Sequence, residues 1–578
     1  MSTIIDVEHL LDPDHLAVEI ANKWNSWVQL RREWVEQTKE LRNYIYATDT
    51  KTTGNAILPW SNSTTTPKLT QISDNLHANY AATLFPQEDW IRWSGEDEDS
   101  VSWVRNLKIK SFMKTKIDQS GFVKTHYKLL RDYIHYGNAF SLIEWVDDFY
   151  LNEDGDFTQR YKGPILRRIS PYDIAFNPAA TEFSKTPKII RSIHTIGEIA
   201  REAKKDSDSP IGKGLQKVLQ GRKNVKNVES MLEKSEGFVA DGFSNIQQYY
   251  DSDYVEVLTF YGDLYDQESG DVMQDRIITI MDRAYVVDNK EDPSWEGTPP
   301  IHHVGWRDRP DNLYAMGPLD NLVGLQYRID HLENLKADVF DQIAYPIIKV
   351  KGDVEDFDFS PGSRIFIGEE GDVGYLQPDA TALQADMQIS QLEARMEELA
   401  GAPKQAMGIR TPGEKTAFEV QSLDNASGRI FQHKTSHYEA EFIEPQLNTM
   451  LTMSARKLTG TEVVRENHES GGFIFEEVSK EDLVGKGKVS PMAARHFAER
   501  ARRVQNLTQL WQIAAADPSV KAHLSGKELA RIMAFELGEE SLFAPNIAVK
   551  EQSETQVAVE EEEVTNQDSM AEMAAQGE

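Results

Sequence analysis

The most constraining feature of the sequence is an ordered series of helix signals in its second half. Apolar residues recur at steps of three and four over 319–344 and again over 382–400, with a short strand-like segment between the two stretches. A Gly- and Pro-rich loop follows over 401–415, and a third, longer helical pattern covers 416–459. Pro445 lies inside this last pattern and predicts a kink, because proline lacks the N–H that a helix interior requires.

Two antiparallel helices that each carry one apolar stripe cannot bury both stripes by themselves. Copies of the chain could cover them in a closed ring, since heterologous contacts that close generate cyclic oligomers. The same pair could instead pack on a β-region of its own chain. Periodicity alone favours neither interpretation.

The first 318 residues mix helix and strand patterns, so we predict an α+β chain that is mostly α. The predicted helices cover 13–48, 67–84, 101–136 and 193–227, a hairpin joins strands at 139–146 and 164–169, and a β-meander covers 254–306. Beyond the long helix we predict a strand near 472–478 and helices that open at Ser490 and Ser525.

Charge and composition exclude several classes of protein. The chain has 62 Lys and Arg against 94 Asp and Glu, a net charge of −32, so it cannot wrap nucleic acid by general attraction. It has no cysteine, which removes disulfides and thiol chemistry. No apolar run is long enough to span a membrane, and the aromatic-free acidic segment 549–578 is predicted to be a disordered tail.

The motifs of common catalytic sites are missing from the sequence. It has no phosphate-binding G-x-x-x-x-G-K-[S/T] loop and no H-E-x-x-H metal motif. His302 and His303 are adjacent in a predicted strand, so their side chains should point to opposite faces and cannot share a metal. We therefore expect no catalytic residue, metal or cofactor, although a large carboxylate-dependent hydrolase is kept as a competing interpretation.

Several short segments, in this order, resemble the portal (head-to-tail connector) proteins of tailed bacteriophages, in particular those of short-tailed phages. The segments are Leu84 to Pro86 with Trp90, Tyr136 to Phe140, Ile169 to Pro178, Tyr314 to Leu319, and Arg410 to Glu419 with the sequence RTPGEKTAFE. The resemblance covers roughly residues 20 to 545. No single segment is specific, but the ordered set is.

The resemblance implies a portal fold with wing, stem, clip and crown, assembled as a cyclic ring. It assigns 1–318 to the wing, 319–344 to the descending stem helix, 345–381 to the clip, 382–400 to the returning stem helix, 401–415 to the tunnel loop, 416–489 to the long kinked helix and a wing strand, 490–548 to the crown, and 549–578 to the acidic tail. Some portals end in a long helical barrel, which this C-terminus does not predict.

The resemblance also implies a function. Portal proteins form a ring, usually twelve-fold, at one capsid vertex of the virion, and are assembled in the host cytoplasm. Double-stranded DNA passes through the channel, without sequence specificity, during packaging by the terminase large subunit, retention and ejection. Further implied partners are the head-to-tail adaptor and tail proteins, the major capsid protein and the scaffolding protein. Another virion component, an adaptor or an internal protein, is the alternative.

Two groups of candidate site residues follow. The clip has eight acidic and three basic residues, so its partner should be basic; the docking candidates are Asp353, Glu355, Asp356, Asp358, Glu369 and Glu370. An acidic channel wall would let DNA slide, and the few cations of the tunnel loop would contact phosphates. The loop candidates are Lys404, Gln405, Arg410, Glu414 and Lys415.

Overall fold

A computed structural model describes residues 4–7, 13–46, 62, 64–85, 90–96, 103–151, 157–205, 207, 209–221, 254–291, 299–352, 366–376, 380–400, 430–467, 473–491 and 506–509. It is about 51% helical and 31% strand, which is compatible with an α+β chain. The chain divides into two compact units, 1–465 with 475–494, and 466–474 with 495–578. Nearly all described residues belong to the first.

The helices are numbered in chain order. They are α1 Pro13–Leu30, α2 Arg32–Tyr46, α3 Lys68–Leu84, α4 Trp103–Ser120, α5 Phe122–His135, α6 Ile196–Lys205, α7 Pro210–Gly221, α8 Val323–Ala344, α9 Asp386–Leu399, α10 Glu444–Lys457 and the single turn α11 Lys480–Leu483. Short 3₁₀ turns precede α8 and α9 at Asp320–Leu322 and Ala380–Ala385.

The strands form several small sheets and one larger one. They are β1 Ile4–Val7, β2 Ile91–Gly95, β3 Asn138–Leu151, β4 Phe157–Ile169, β5 Ile174–Phe176, β6 Lys188–Thr195, β7 Tyr254–Asp266, β8 Val272–Met281, β9 Tyr285–Glu291, β10 Ile301–Gly305, β11 Arg307–Arg309, β12 Asn312–Met316, β13 Ile347–Lys351, β14 Asp372–Leu376, β15 Thr461–Asn467, β16 Phe473–Ser479 and β17 Gly487–Pro491.

The largest sheet has the order β5-β6-β7-β8-β9, with β1 added in parallel to β7. Alternate residues of its strands face opposite sides. In β7, Leu258 and Phe260 pack in a cluster with α1, whereas Val255 and Val257 pack with α6 and α7. The sheet is therefore covered by helices on both faces.

The predicted meander over 254–306 is correct only as far as β9. The strand β10 leaves this sheet and pairs with β3, which gives a second sheet of order β10-β3-β4. The β3–β4 hairpin itself was predicted, but its strands run from Asn138 to Leu151 and from Phe157 to Ile169, longer than expected. The predicted helix over 193–227 is wrong at its start, because 193–195 form the end of β6.

The two longest predicted helices of the first half are each broken. The 13–48 pattern splits at Arg31, whose buried guanidinium donates to the carbonyls of Pro171 and Tyr172 at 2.8 Å. The 101–136 pattern splits at Gly121, which has a φ of +67°, a conformation that glycine adopts without strain. Apolar periodicity continues across both breaks and could not reveal them.

The main hydrophobic core joins α3, α4, α5, the two helices α8 and α9, and the long helix that is described from residue 430. This last helix contains a π-helical turn at Glu439–Ile443, immediately before Pro445. The helix is thus irregular near Pro445, and the irregularity lies in the turn before the proline. In that turn, the N–H that proline lacks leaves a carbonyl without its usual hydrogen-bond partner. The core, and not the β-meander, receives the buried side of α8 and α9.

Three of the segments that carry the portal resemblance meet in the structure. Asn138 exchanges hydrogen bonds of 2.9 Å with the backbone of Ala315, and a Cβ on Gly137 would lie 2.3 Å from Gly317 N. The amide of Leu313 donates to Pro178 O, which ties in the segment Ile169 to Pro178. These segments therefore have a packing role in this fold.

The helix predicted to open at Ser490 is wrong at its start. Ser490 and Pro491 are the last residues of β17, which pairs antiparallel with β2. The strand predicted near 472–478 is confirmed as β16, which pairs with β15. The helix predicted at Ser525 and the tail 549–578 lie outside the described residues.

Candidate functional site: the stem and its hairpin

The helices α8 and α9 run antiparallel and are joined through the strand pair β13–β14. At the end near the core, Ile329 and Leu332 of α8 meet Ile389, Leu392 and Met396 of α9, and all five side chains are buried. At the other end, Lys336 forms an ion pair with Asp386 at the start of α9. We call α8 and α9 the stem and β13–β14 the hairpin.

The half of the stem that leads to the hairpin, and the hairpin itself, leave many large apolar side chains in contact with solvent. Tyr345 is 79% exposed, Phe366 67% and Ile347 66%. The other exposed apolar residues of this region are Leu335, Phe340, Ile343, Val350, Ile367, Tyr375, Leu376 and Met387. So many exposed large apolar side chains on one helix pair and hairpin indicate an interaction site, since monomeric proteins rarely expose large apolar patches.

The hairpin has unpaired strand edges. Its five residue pairs run from Ile347 with Leu376 to Lys351 with Asp372, and within the described residues neither strand pairs with a third. A two-stranded sheet alone is marginally stable in water, and an open edge is a template for pairing with another chain. Both edges and both faces are therefore available to a partner.

A segment that precedes α3 lies extended along α8 and is held by a ladder of polar side chains. We call residues 62 and 64–66 the strap. The backbone amides of alternate strap residues donate to α8 carboxylate or amide oxygens: Thr66 to Asp330 at 2.9 Å, Thr64 to Asn334 at 2.9 Å, and Asn62 to Asp338 at 2.6 Å. Steps of four on a helix rise about 6 Å, close to the spacing of alternate residues in an extended chain.

A buried ion pair fixes the stem to the core, and a buried carboxyl group of α8 holds the strap. Lys68 Nζ, at the start of α3, lies 2.7 Å from Glu397 Oε1 of α9, and both side chains are under 10% exposed. Asp330 of α8 also accepts from Gln326 Nε2 at 2.8 Å. Burial raises the pKa of Asp330 to about 6, although its hydrogen bonds to Thr66 and Gln326 act in the opposite direction.

The structure describes only two of the predicted docking residues. Glu369 and Glu370 are exposed in the turn just before β14. The remaining docking candidates Asp353, Glu355, Asp356 and Asp358, and the tunnel-loop candidates Lys404, Gln405, Arg410, Glu414 and Lys415, lie outside the described residues. The described acids thus lie beside the exposed apolar surface of the hairpin.

The buried histidines of the core are engaged in packing and hydrogen bonds. Burial lowers the pKa of His126 to about 3, and its ring contacts Tyr438 Oη at 3.2 Å and Gln446 Oε1 at 2.8 Å. His303 stacks on Phe140. In the described ranges no group of three His, Cys, Asp or Glu side chains is placed to hold a metal ion.

One charged feature was missed by the sequence reasoning. Residues 103–135 hold eight Lys and Arg against two Asp, a net charge of +6 inside a chain of −32. A window count of charge along the chain would have found it. Three of these cations, Lys124, Lys128 and Arg131, lie on the exposed face of α5.

Comparison of the sequence with models of known protein families gives no match, and comparison with curated proteins gives none. No helix within the described part of the chain combines the length and apolar character needed to cross a bilayer.

Proposed function

We propose that the chain is a portal protein, one subunit of a closed ring at a capsid vertex. In this role double-stranded DNA is packaged through the central channel by a terminase, retained and later ejected, and the tail attaches below. The subunit itself carries out no chemical reaction. The observation that carries the proposal is the exposed apolar surface that continues from the buried half of the stem to the hairpin.

Copies of the same chain are the partner that fits this surface best. An exposed helix pair and a hairpin with two open edges offer different surfaces on their two sides, which suits a head-to-tail contact between neighbours. Repeated around an axis, such contacts close into a ring and leave no apolar stem surface exposed to water. The ordered motif set favours a portal among ring-forming proteins.

The proposed ring also gives the acidic turn a role. Glu369 and Glu370 lie at the hairpin, the part that would serve as the clip, and would recur once per subunit as a circle of negative charge. A terminase or adaptor with basic groups would be steered to such a circle. Within the channel, we assign phosphate contacts to Lys404, Arg410 and Lys415.

Electron microscopy of the purified full-length protein tests the proposal. We expect rings with a central hole, and no nuclease or ATPase activity in the same preparation. Monomers or dimers at micromolar concentration, with no ring in any salt condition, would contradict the proposed function. A hydrolytic activity that co-purifies with the chain through several columns would favour the enzyme class instead.

A further inference from the structure

The helix α5 has one buried face and one cationic face. His126, Leu129, Leu130, Tyr133 and Ile134 are buried in or beside the main core. The opposite face carries the exposed side chains Lys124, Tyr127, Lys128 and Arg131. Their spacing of three and four residues places them along one side of the helix. We call these four residues the α5 face.

The cations of the α5 face differ from the other cations around it. On the neighbouring strand β4, Arg167 pairs with Glu144 at 2.7 Å, and Arg168 pairs with the buried Asp132. On α4, Lys116 pairs with Glu462. For Lys124, Lys128 and Arg131, by contrast, no carboxylate of the described residues lies within ion-pair distance. The α5 face is therefore a local positive surface in an acidic chain.

Groups of α3 and the end of α5 pack beside the face and hold it in place. His135, buried at the end of α5, has its pKa lowered to about 3 by burial and further by Arg131, Arg42 and His77. His77 of α3 donates from Nε2 to the carbonyl of Tyr127 at 2.8 Å and so holds the edge of the face in place. The Tyr127 ring packs edgewise near Phe85, 6.2 Å between centroids, with 42% of the residue exposed.

We propose that the α5 face binds the phosphate backbone of double-stranded DNA, through Lys124, Lys128 and Arg131. Seven residues separate the first and last of these, about 10 Å along the helix axis. One strand of a duplex presents a phosphate every ~3.4 Å along its axis, or about three over this length. The binding is independent of sequence, because the face offers no group set to read base edges.

The choice of duplex DNA over an acidic protein segment rests on the proposed function, which places the chain beside packaged DNA. The face also has the properties of a phosphate site. Three of its four side chains are exposed cations, and its one aromatic side chain, Tyr127, is turned edgewise toward Phe85. In a chain with a net charge of −32, such contacts stay local, and the α5 face adds to those assigned to the tunnel loop.

The test is DNA binding by the full-length protein as a function of salt. The variant K124A/K128A/R131A is compared with the wild type on a random-sequence 60-base-pair duplex between 50 and 200 mM NaCl. Loss of three phosphate contacts lowers the slope of log K against log salt by about 2.7. Over this fourfold salt range the wild-type affinity should therefore fall about 40-fold more than that of the variant.

A charge-matched control is available on α6 and α7. The variant R201A/K213A/K217A removes three exposed cations from other helices and should keep the wild-type slope. No duplex binding by the wild type, or an equal loss in both variants, would overturn the proposal. Electron microscopy of the same samples separates the two claims, because failure to form rings with α5-dependent binding intact would contradict the proposed function and leave the α5 face standing.

Discussion

The two halves of the stem have similar residues in opposite environments. Near the core, Ile329 and Leu332 are buried with the returning helix, whereas toward the hairpin Leu335, Phe340 and Ile343 are exposed. Both groups belong to one continuous apolar stripe on α8. Periodicity therefore identifies the apolar stripe, but only the tertiary structure shows which of its residues are buried within the single chain.

The core and the stem also differ in their buried ionisable groups. The core contains neutral histidines whose charging is prevented by burial, and the stem contains Asp330, a carboxyl group that burial also drives toward its neutral form. A fall in pH destabilises the fold through the buried histidines and stabilises it through Asp330. The predictions that follow test this contrast, beginning with the largest effect on stability.

Acid should destabilise the core. His126, His135, His302 and His303 have pKa values lowered by burial to about 3 or 4, below the ordinary value of 6.5. The unfolded chain therefore binds protons that the folded chain does not, and stability falls as the pH drops below about 6.5, by about 1.4 kcal/mol per pH unit for each histidine. Urea unfolding at pH 7.5, 6 and 5 measures this slope.

The variant His302→Leu sharpens the test, because His302 Nε2 has no hydrogen-bond partner among the described residues. It should fold and should lose about one histidine's share of the pH dependence. His433→Gln, at an exposed position of the long helix, is the control and should keep the full slope. Asp330 acts in the opposite direction, since its raised pKa adds stability as the pH falls from about 6, but one carboxyl group offsets only part of the effect of four histidines. A flat profile would therefore contradict the assigned burial.

The second largest effect is expected at the ion pair between α3 and α9. Glu397→Ala leaves the Lys68 ammonium buried without its charge partner, which should cost about 3–5 kcal/mol of unfolding free energy. The neighbouring Glu398 is exposed, so Glu398→Ala is a matched control with little expected change. Urea unfolding compares the two variants.

A double variant distinguishes charge burial from packing. Lys68→Met with Glu397→Leu removes both charges and keeps the volume, so it should recover most of the lost stability. A double variant as unstable as Glu397→Ala would show that the pair is needed for some other reason than mutual neutralisation.

A smaller effect is expected at the strap. Asn334→Ala removes the acceptor of the Thr64 amide and the donor to the Thr64 carbonyl, at 2.9 and 3.0 Å, and should cost about 1–2 kcal/mol. Hydrogen exchange at Thr64 should accelerate in this variant. Arg328→Ala, on an exposed position of the same helix, should leave that exchange rate unchanged.

The sequence predicted the stem well because its signals are local. The helices over 319–344 and 382–400 and the strands between them follow from periodicity and from Pro346, and the structure contains them. The strap falls between two predicted helices and has no pattern of its own, because its order comes from α8 side chains some 270 positions away. The pairing of β10 with β3 is also long-range. No local pattern distinguishes a fourth strand of the meander from a strand that pairs with β3.

The candidate site was predicted unevenly for the same reason. Glu369 and Glu370 were predicted from the acidic composition of their segment, since charge can be counted in the sequence. The structure places both in an exposed turn. The apolar residues beside them belong to a strand-like segment, and a strand pattern does not show whether its side chains are exposed. A count of charge would have found the positive segment 103–135, but its cations alternate with core residues, so the helix geometry is needed to place three of them on one face.

The smallest effect on folding is expected where the effect on assembly is largest. Phe340 is 57% exposed, so Phe340→Ser with Ile343→Ser should change the unfolding free energy of the subunit by less than about 0.5 kcal/mol. If copies of the chain cover the stem, the same double variant should lose the ring in electron microscopy and sedimentation while its far-UV circular dichroism is unchanged. Phe442→Ser, at a fully buried position of the core, is the converse control and should unfold the subunit. Intact rings from the Phe340 and Ile343 variant would assign the exposed half of the stem to a partner other than a second copy.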